Sequence, residues 1–194
     1  MRIITGSAKG IQLKAPTGLS TRPTTDRVKE SLFGILGYLV EDARVLDVFA
    51  GTGNLSLEAL SRGAASAVAI DKSANCQRII RENAIKTRLD DRLTVMKGDG
   101  LRHLTQYAAE GRTFDLIFAD PPYEQGFVAK VVAAVEGGTV LADDGVLVAE
   151  HTKKEPIDET MLSKLEIRRQ ERYGETIVSF LMHKKREKGV IICG

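Results

Sequence analysis

Cysteine and histidine are scarce in this chain. Cys76 and Cys193 stand far apart, and only three histidines occur in 194 residues. The spacing excludes a CxxC site, and the scattered histidines cannot supply the paired intervals of a zinc site. Neither a metal nor a disulfide is expected, and both cysteines read as small apolar side chains, Cys76 in a helix and Cys193 in the tail. Long apolar runs are missing too. Leu116 to Ala119 and Val131 to Val135 fall well short of the roughly 18 to 20 residues that a membrane helix needs, so no bilayer span is expected. The opening residues Met1-Arg2-Ile3-Ile4-Thr5-Gly6 turn polar too soon for a signal-peptide core, which reads as a cytoplasmic protein.

What is present is an ordinary share of core-forming residues. At 43% hydrophobic and 21.2 kDa the chain can bury one domain, or one domain with a small appendage. The net charge of +2 is unevenly spread. Residues 1–30 carry six Lys/Arg against two Asp/Glu, residues 31–163 carry 14 against 20, and residues 164–194 carry eight against four. Clustered basic residues suit polyanions, because each neutralised phosphate releases counterions, so both ends are candidates for nucleic-acid contact. A solvated surface would read the same way.

The first 15 residues read as a short hairpin turning at Gly6-Ser7-Ala8-Lys9-Gly10. After Arg22-Pro23-Thr24-Thr25-Asp26-Arg27, with its good helix caps, Val28, Leu32, Ile35, Leu36 and Leu39 predict a helix over about 25–39. From Ala43 onward, strand-length apolar runs (44–49, 67–70, 93–96, 114–119, 145–149) alternate with helical segments (55–62, 74–87, 100–109, 127–135). That repetition predicts parallel strands joined by helical crossovers. Segments 164–170 and 176–183 lack an intervening helix and predict an antiparallel pair at the sheet edge. The expected fold is α/β: a seven-stranded, Rossmann-like sheet, mostly parallel, with an antiparallel final pair and a small N-terminal hairpin, an arrangement that resembles the class I methyltransferase sheet. The chain divides into an extension (1–24), a catalytic domain (25–185) and a basic tail (186–194).

Ligands of open α/β sheets bind beyond the carboxyl ends of the strands, so those places are the ones to inspect. The first is Asp47-Val48-Phe49-Ala50-Gly51-Thr52-Gly53-Asn54, a strand end turning through two glycines into a helix. A dinucleotide fingerprint would need a third glycine where Ser56 stands, while an acid four residues before the first glycine suits a cofactor with a cationic or amine part. The second is Asp71, placed to accept from ribose hydroxyls, with a surface helix cap as the plainer alternative. The third is Lys97-Gly98-Asp99-Gly100, where Asp99 either accepts from an adenine amino group or caps a helix. The fourth is Asp120-Pro121-Pro122-Tyr123. Its prolines fix the backbone and present the Asp120 side chain and Pro121 carbonyl as acceptors for one amino group, and Tyr123 offers a stacking face.

Asp47-x-Phe49-x-Gly51-x-Gly53 followed by Asp120-Pro121-Pro122-Tyr123 resembles the class I S-adenosylmethionine-dependent methyltransferases that modify exocyclic amines. With Met1-Arg2-Ile3-Ile4, Arg22-Pro23-Thr24-Thr25-Asp26-Arg27-Val28 and Leu57-Glu58-Ala59-Leu60-Ser61-Arg62-Gly63, nearly the whole chain resembles the bacterial 16S rRNA guanine-N2 methyltransferase family. The Asp-Pro-Pro-Tyr motif marks amine chemistry, and adenine-N6 enzymes share it. The resemblance implies S-adenosylmethionine held by Asp47, Phe49, Gly51, Gly53, Asn54, Asp71, Lys72, Asp99 and Gly100, with Asp120, Pro121, Pro122 and Tyr123 at the reacting amine. It implies RNA phosphates gripped by Arg2, Lys9, Lys14, Arg22 and Arg27, although Arg22 and Arg27 can instead pair with Asp26, Glu30 or the cofactor carboxylate. The implied partner is 16S rRNA in an assembling small ribosomal subunit, met by a monomer. A nicotinamide oxidoreductase, a silent RNA-binding module and an adenine-N6 DNA or RNA methyltransferase are the competing readings. Ser56 and the proline loop speak against the first, the intact cofactor residues against the second, and the lack of length for a DNA-reading domain against a DNA enzyme.

Overall fold

The computed structural model describes residues 1–15 and 26–185. Arg22 to Thr25, Cys193 and the tail 186–194 lie outside the described residues. Seven strands form one sheet: β1 (Arg44–Asp47), β2 (Ser66–Asp71), β3 (Leu93–Lys97), β4 (Phe114–Ala119), β5 (Leu141–Thr152), β6 (Leu165–Tyr173) and β7 (Thr176–His183). Their order is β3-β2-β1-β4-β5-β7-β6. The first five run parallel, and β7 pairs antiparallel with both β5 and β6, as the pattern predicted. The helices are α1 (Asp26–Leu36), α2 (Asn54–Ser61), α3 (Ala74–Thr87), α4 (Gly100–Ala109) and α5 (Phe127–Gly137).

Strand alternation divides the core between the two faces. Val45, Leu116, Phe118, Val148 and Phe180 join α1 and α2 on one side, where Phe33 packs on Phe118 with ring centroids 5.7 Å apart. Leu46, Ile117, Leu147 and Leu181 join Leu104, Val131 and Val135 of α4 and α5 on the other. The central strands are apolar on both faces because helices cover both. No helix among the described residues is long and apolar enough to cross a membrane.

Two expectations shift. The helix predicted to reach Leu39 ends at Leu36, where Gly37 takes φ +52° and the chain tightens into a 3₁₀ turn. The hairpin is a single bridge, Arg2 opposite Gln12, and it is no loose appendage: Ile3, Ala8 and Leu13 are buried in the core beside α1 and α2. Polar contacts fasten it as well. Glu58 of α2 accepts from the Ile4 and Thr5 amides (2.8 and 3.1 Å), and Ser61 takes the Ala8 amide on its hydroxyl and the Ser7 amide on its carbonyl. Glu58 is fully buried and pairs with the equally buried Lys29 of α1 (3.0 Å) and with Arg62 (2.8 Å). Burial pulls the Lys29 pKa down while Glu58 pushes it back up.

Candidate active site

Crossovers run one way from β1 to β3 and the other way from β4 to β5, so the sheet's switch point lies between β1 and β4. The carboxyl ends of those two strands meet there: Asp47 sits in register with Phe118, two residues before Asp120. The glycine turn and the Asp-Pro-Pro-Tyr loop therefore leave the sheet side by side.

Asp47 is 1% exposed, and burial pushes its carboxyl up to about 6 against the bond from Ser56. The Ser56 hydroxyl donates to Oδ2 at 2.7 Å, while Oδ1 has no hydrogen-bond partner among the described residues. The residue that departs from the dinucleotide fingerprint is thus the one that holds the acid. Gly51 and Gly53 both have positive φ (+55° and +78°), the left-handed conformation glycine adopts without strain. A side-chain carbon at Gly51 would meet open space, so a ligand can approach its backbone. The Gly51 amide donates to Asp71 Oδ2 (2.9 Å), and the other Asp71 oxygen accepts from the Ser73 amide. Ser73, not Asp71, caps α3.

Asp99 is the helix cap of the plainer reading. Its Oδ1 accepts from the Leu101 and Arg102 amides, and its Oδ2 pairs with Lys72 at 2.8 Å, which holds its pKa below the usual carboxylate range. Gly100 packs against the end of β1, where a side-chain carbon would lie 2.2 Å from the Val48 carbonyl oxygen. Lys72 also lies over the Phe127 ring (5.7 Å), and Phe127 meets Phe49 at 5.6 Å, so the loops after β1, β2 and β4 close on one another. Asn54 turns its amide oxygen to Lys29 (2.7 Å).

On the other side Asp120 is half-buried, Pro121 buried, Pro122 exposed and Tyr123 half-buried. The Tyr123 hydroxyl donates to Glu150 on β5 and lies 3.3 Å from Thr176 on β7. Burial and the Glu150 acceptor both raise its pKa, so the hydroxyl keeps its proton. Glu124 follows with φ +59°, and Glu155 accepts from the Glu124 and Gly126 amides (2.5 and 2.6 Å). A single carboxylate fixes the exit of the loop. Nothing in the motif announces Glu150, Thr176 or Glu155, which reach it from across the sheet. Of the residues assigned to RNA, Arg2 and Lys14 pair with Asp26 (3.0 Å) and Glu82 (2.6 Å), and Lys9 and Arg27 are exposed. No cluster suited to a metal ion occurs among the described residues.

This fold and this pair of strand ends are those of a class I methyltransferase sheet. Residues 1–182 match the family described as conserved hypothetical protein 95. The chain is 39% identical, over 96% of its length and all of the other's, to Bacillus subtilis YlbH, which carries a provisional rRNA methyltransferase name. It is 37% identical to Escherichia coli ribosomal RNA small subunit methyltransferase D, covering 77% of this chain and 74% of that one. The solved structure of Escherichia coli yhhF, provisionally named a methyltransferase, superposes with a TM-score of 0.83 at 31% identity, covering 95% and 98% of the two chains. The chain belongs to that conserved family, the one containing small subunit methyltransferase D.

Proposed function

We propose that the chain methylates the exocyclic N2 amine of a guanine in 16S rRNA. The observation that carries this is the adjacency of Asp120-Pro121-Pro122-Tyr123 to Asp47 at the sheet's switch point, in a family with a member named for small-subunit rRNA. The residues present fit S-adenosylmethionine: Asp47 has a buried oxygen in want of a donor, and Gly51 leaves room at its backbone. Asp47 would face the amine end, Asp71 the ribose hydroxyls, and the Lys72–Asp99 pair with Gly100 would wall the base. When bound, the cofactor supplies an electrophilic methyl group on a cationic sulfur.

The chain's own task is to prepare the nitrogen. A base amine is a weak nucleophile because its lone pair is delocalised into the ring. Asp120 and the Pro121 carbonyl each accept one of its N–H bonds, which favours a pyramidal nitrogen with the lone pair turned toward the methyl carbon. Tyr123, held through its hydroxyl, presents a ring face that fixes the base plane. The methylated nitrogen then sheds its proton to Asp120 or to solvent, so alignment and acceptor placement do most of the work. The base must leave its stack to reach Tyr123. Residues 1–24 serve as the RNA grip and 25–185 as the catalytic body. The pairs of Arg2 and Lys14 are solvent-exposed and weak, so RNA phosphates can replace Asp26 and Glu82 as their partners.

The test is nucleoside mass spectrometry of transcribed 16S rRNA after incubation with the protein and S-adenosylmethionine. N2-methylguanosine is expected, and its yield should fall about 100-fold or more with Asp120→Ala. N6-methyladenosine in its place would overturn the guanine assignment.

A further inference from the structure

Two buried polar hubs join the hairpin to the cofactor turn. The Lys29 ammonium, whose side chain is fully buried, spends all three donors: on the Arg2 carbonyl (2.5 Å), on Asn54 Oδ1 (2.7 Å) and on Glu58 (3.0 Å). Asn83 of α3, equally inaccessible, does the same for the other leg. Its Oδ1 accepts from the Lys14 amide (2.7 Å), and its Nδ2 donates to the carbonyls of Lys14 and Thr52 (3.0 Å each). Thr52 and Asn54 flank Gly53. Each leg of the hairpin is therefore tied, through one buried side chain, to one side of the same glycine turn.

We propose that Lys29 and Asn83 are positioning residues that couple the RNA-gripping hairpin to the cofactor turn, so that RNA and cofactor each tighten the other's binding. This rests on the function proposed above. Both side chains act through other residues and hold neither ligand themselves. A hairpin drawn against RNA pulls on Arg2 and Lys14, and the two hubs pass that constraint to Thr52 and Asn54. Glu58 and Ser61 also anchor the hairpin to α2. Lys29 and Asn83 differ in giving both legs one shared destination, the glycine turn.

Calorimetry with S-adenosylhomocysteine and transcribed 16S rRNA tests this. In the wild type, saturating RNA should lower the S-adenosylhomocysteine Kd by about fivefold or more, and saturating S-adenosylhomocysteine should lower the RNA Kd by the same factor, because coupling is reciprocal. In Asn83→Ala the factor should shrink to within about twofold. Lys29→Met would remove one of the two cations paired with the buried Glu58 carboxylate, so the second variant is Lys29→Met/Glu58→Gln, which removes both charges of the buried pair together. It too should lose the coupling, whereas Lys29→Arg should retain it. Cooperative thermal unfolding by circular dichroism establishes that each variant is folded. A wild type that binds both ligands without mutual effect, or a folded Asn83→Ala with undiminished coupling, overturns the proposal. Failure of the wild type to bind S-adenosylhomocysteine at all would instead overturn the proposed function.

Discussion

The proposed cofactor side of the mouth is anchored in the interior, through Lys29, Glu58, Asn83 and Ser56, all nearly inaccessible, whereas the proposed amine side is anchored in part at the rim, where Glu155 and Lys154 hold the loop exit, while its Tyr123 hydroxyl reaches buried Glu150 and Thr176. A turn that receives a small cofactor can be preorganised by the core around it. A loop with the proposed task of admitting a base from a large RNA stays where the RNA can reach, and the restraints on its exit lie where solvent can reach too. The two sides should therefore respond differently to the same kind of damage.

The largest expected contrast is in stability. Glu58→Ala strands buried Lys29 and frees two hairpin amides, and should cost about 3–5 kcal/mol in urea unfolding. Glu155→Ala removes a partly exposed acceptor and should cost only about 1–1.5 kcal/mol. Equal losses would erase the distinction between core-held and rim-held sides. Next comes Tyr123. Tyr123→Ala should lower kcat/KM for RNA about 10- to 100-fold, the scale of one base stack, with S-adenosylhomocysteine affinity unchanged. Tyr123→Phe keeps the ring but releases it from Glu150 and Thr176, and should fall between. A Phe variant as impaired as Ala would show that the hydroxyl, not the ring face, carries the effect.

Asp47 sharpens the comparison through pH. Its folded pKa, raised by burial to about 6, lies above its unfolded value near 3.8, so the folded state binds the extra proton. Stability due to this residue therefore falls as pH rises from about 4 to 6, and the cost stays in place above 6. Asp47→Asn should unfold at higher temperature than the wild type at pH 8, by about 1–3 kcal/mol in stability, with the gap closing by pH 4. The same variant should bind S-adenosylhomocysteine more weakly. A wild type more stable than the variant at pH 8 would contradict the burial cost. Smallest is the effect of Lys9→Ala/Lys14→Ala, which should reduce the log–log salt slope of RNA binding by about 1.4–1.8 and leave cofactor affinity alone. An unchanged slope would remove the hairpin from the RNA interface.

The sheet was legible because its strands are short apolar runs, several of them closed by an acid or a turn, and the same acids, Asp47, Asp71 and Asp120, are the ones the topology gathers. Strand β5 was legible only in its apolar centre, since Asp143 and Asp144 interrupt the run and fall in the irregular stretch between the Phe114–Leu141 and Leu116–Val146 pairs, where the register shifts. Asp99 illustrates a limit: cap and cofactor contact demand the same residue at the same place, and only the Leu101 and Arg102 amides reveal the cap. Lys29 left a trace, since it falls within the apolar stripe of Val28, Leu32, Phe33 and Leu36. Its partners left none, because Arg2, Asn54 and Glu58 are brought to it by tertiary packing. Glu136 is similar. Burial opposes its charge, but the Ser163 hydroxyl and the amides of Ser163, Lys164 and Leu165 outweigh it and hold the carboxyl at about 2, a role no local pattern encodes.

The place of β7 has a consequence for how the chain is made. Synthesised after β6, it nonetheless lies between β5 and β6, and among the described residues β6 pairs with no other strand. Until Thr176 to His183 has emerged, β5 is an open edge and β6 has nothing to join. Chain growth delivers the N-terminal half first, so the glycine turn after β1 can assemble on β1 to β3 while the far half of the sheet waits. Thr176, which lies beside the Tyr123 hydroxyl, arrives with that last strand. The Asp120–Tyr123 loop is thus the part of the proposed site whose surroundings are completed last, and a nascent chain cut short before β7 would carry the glycine turn without Thr176 beside the Tyr123 hydroxyl.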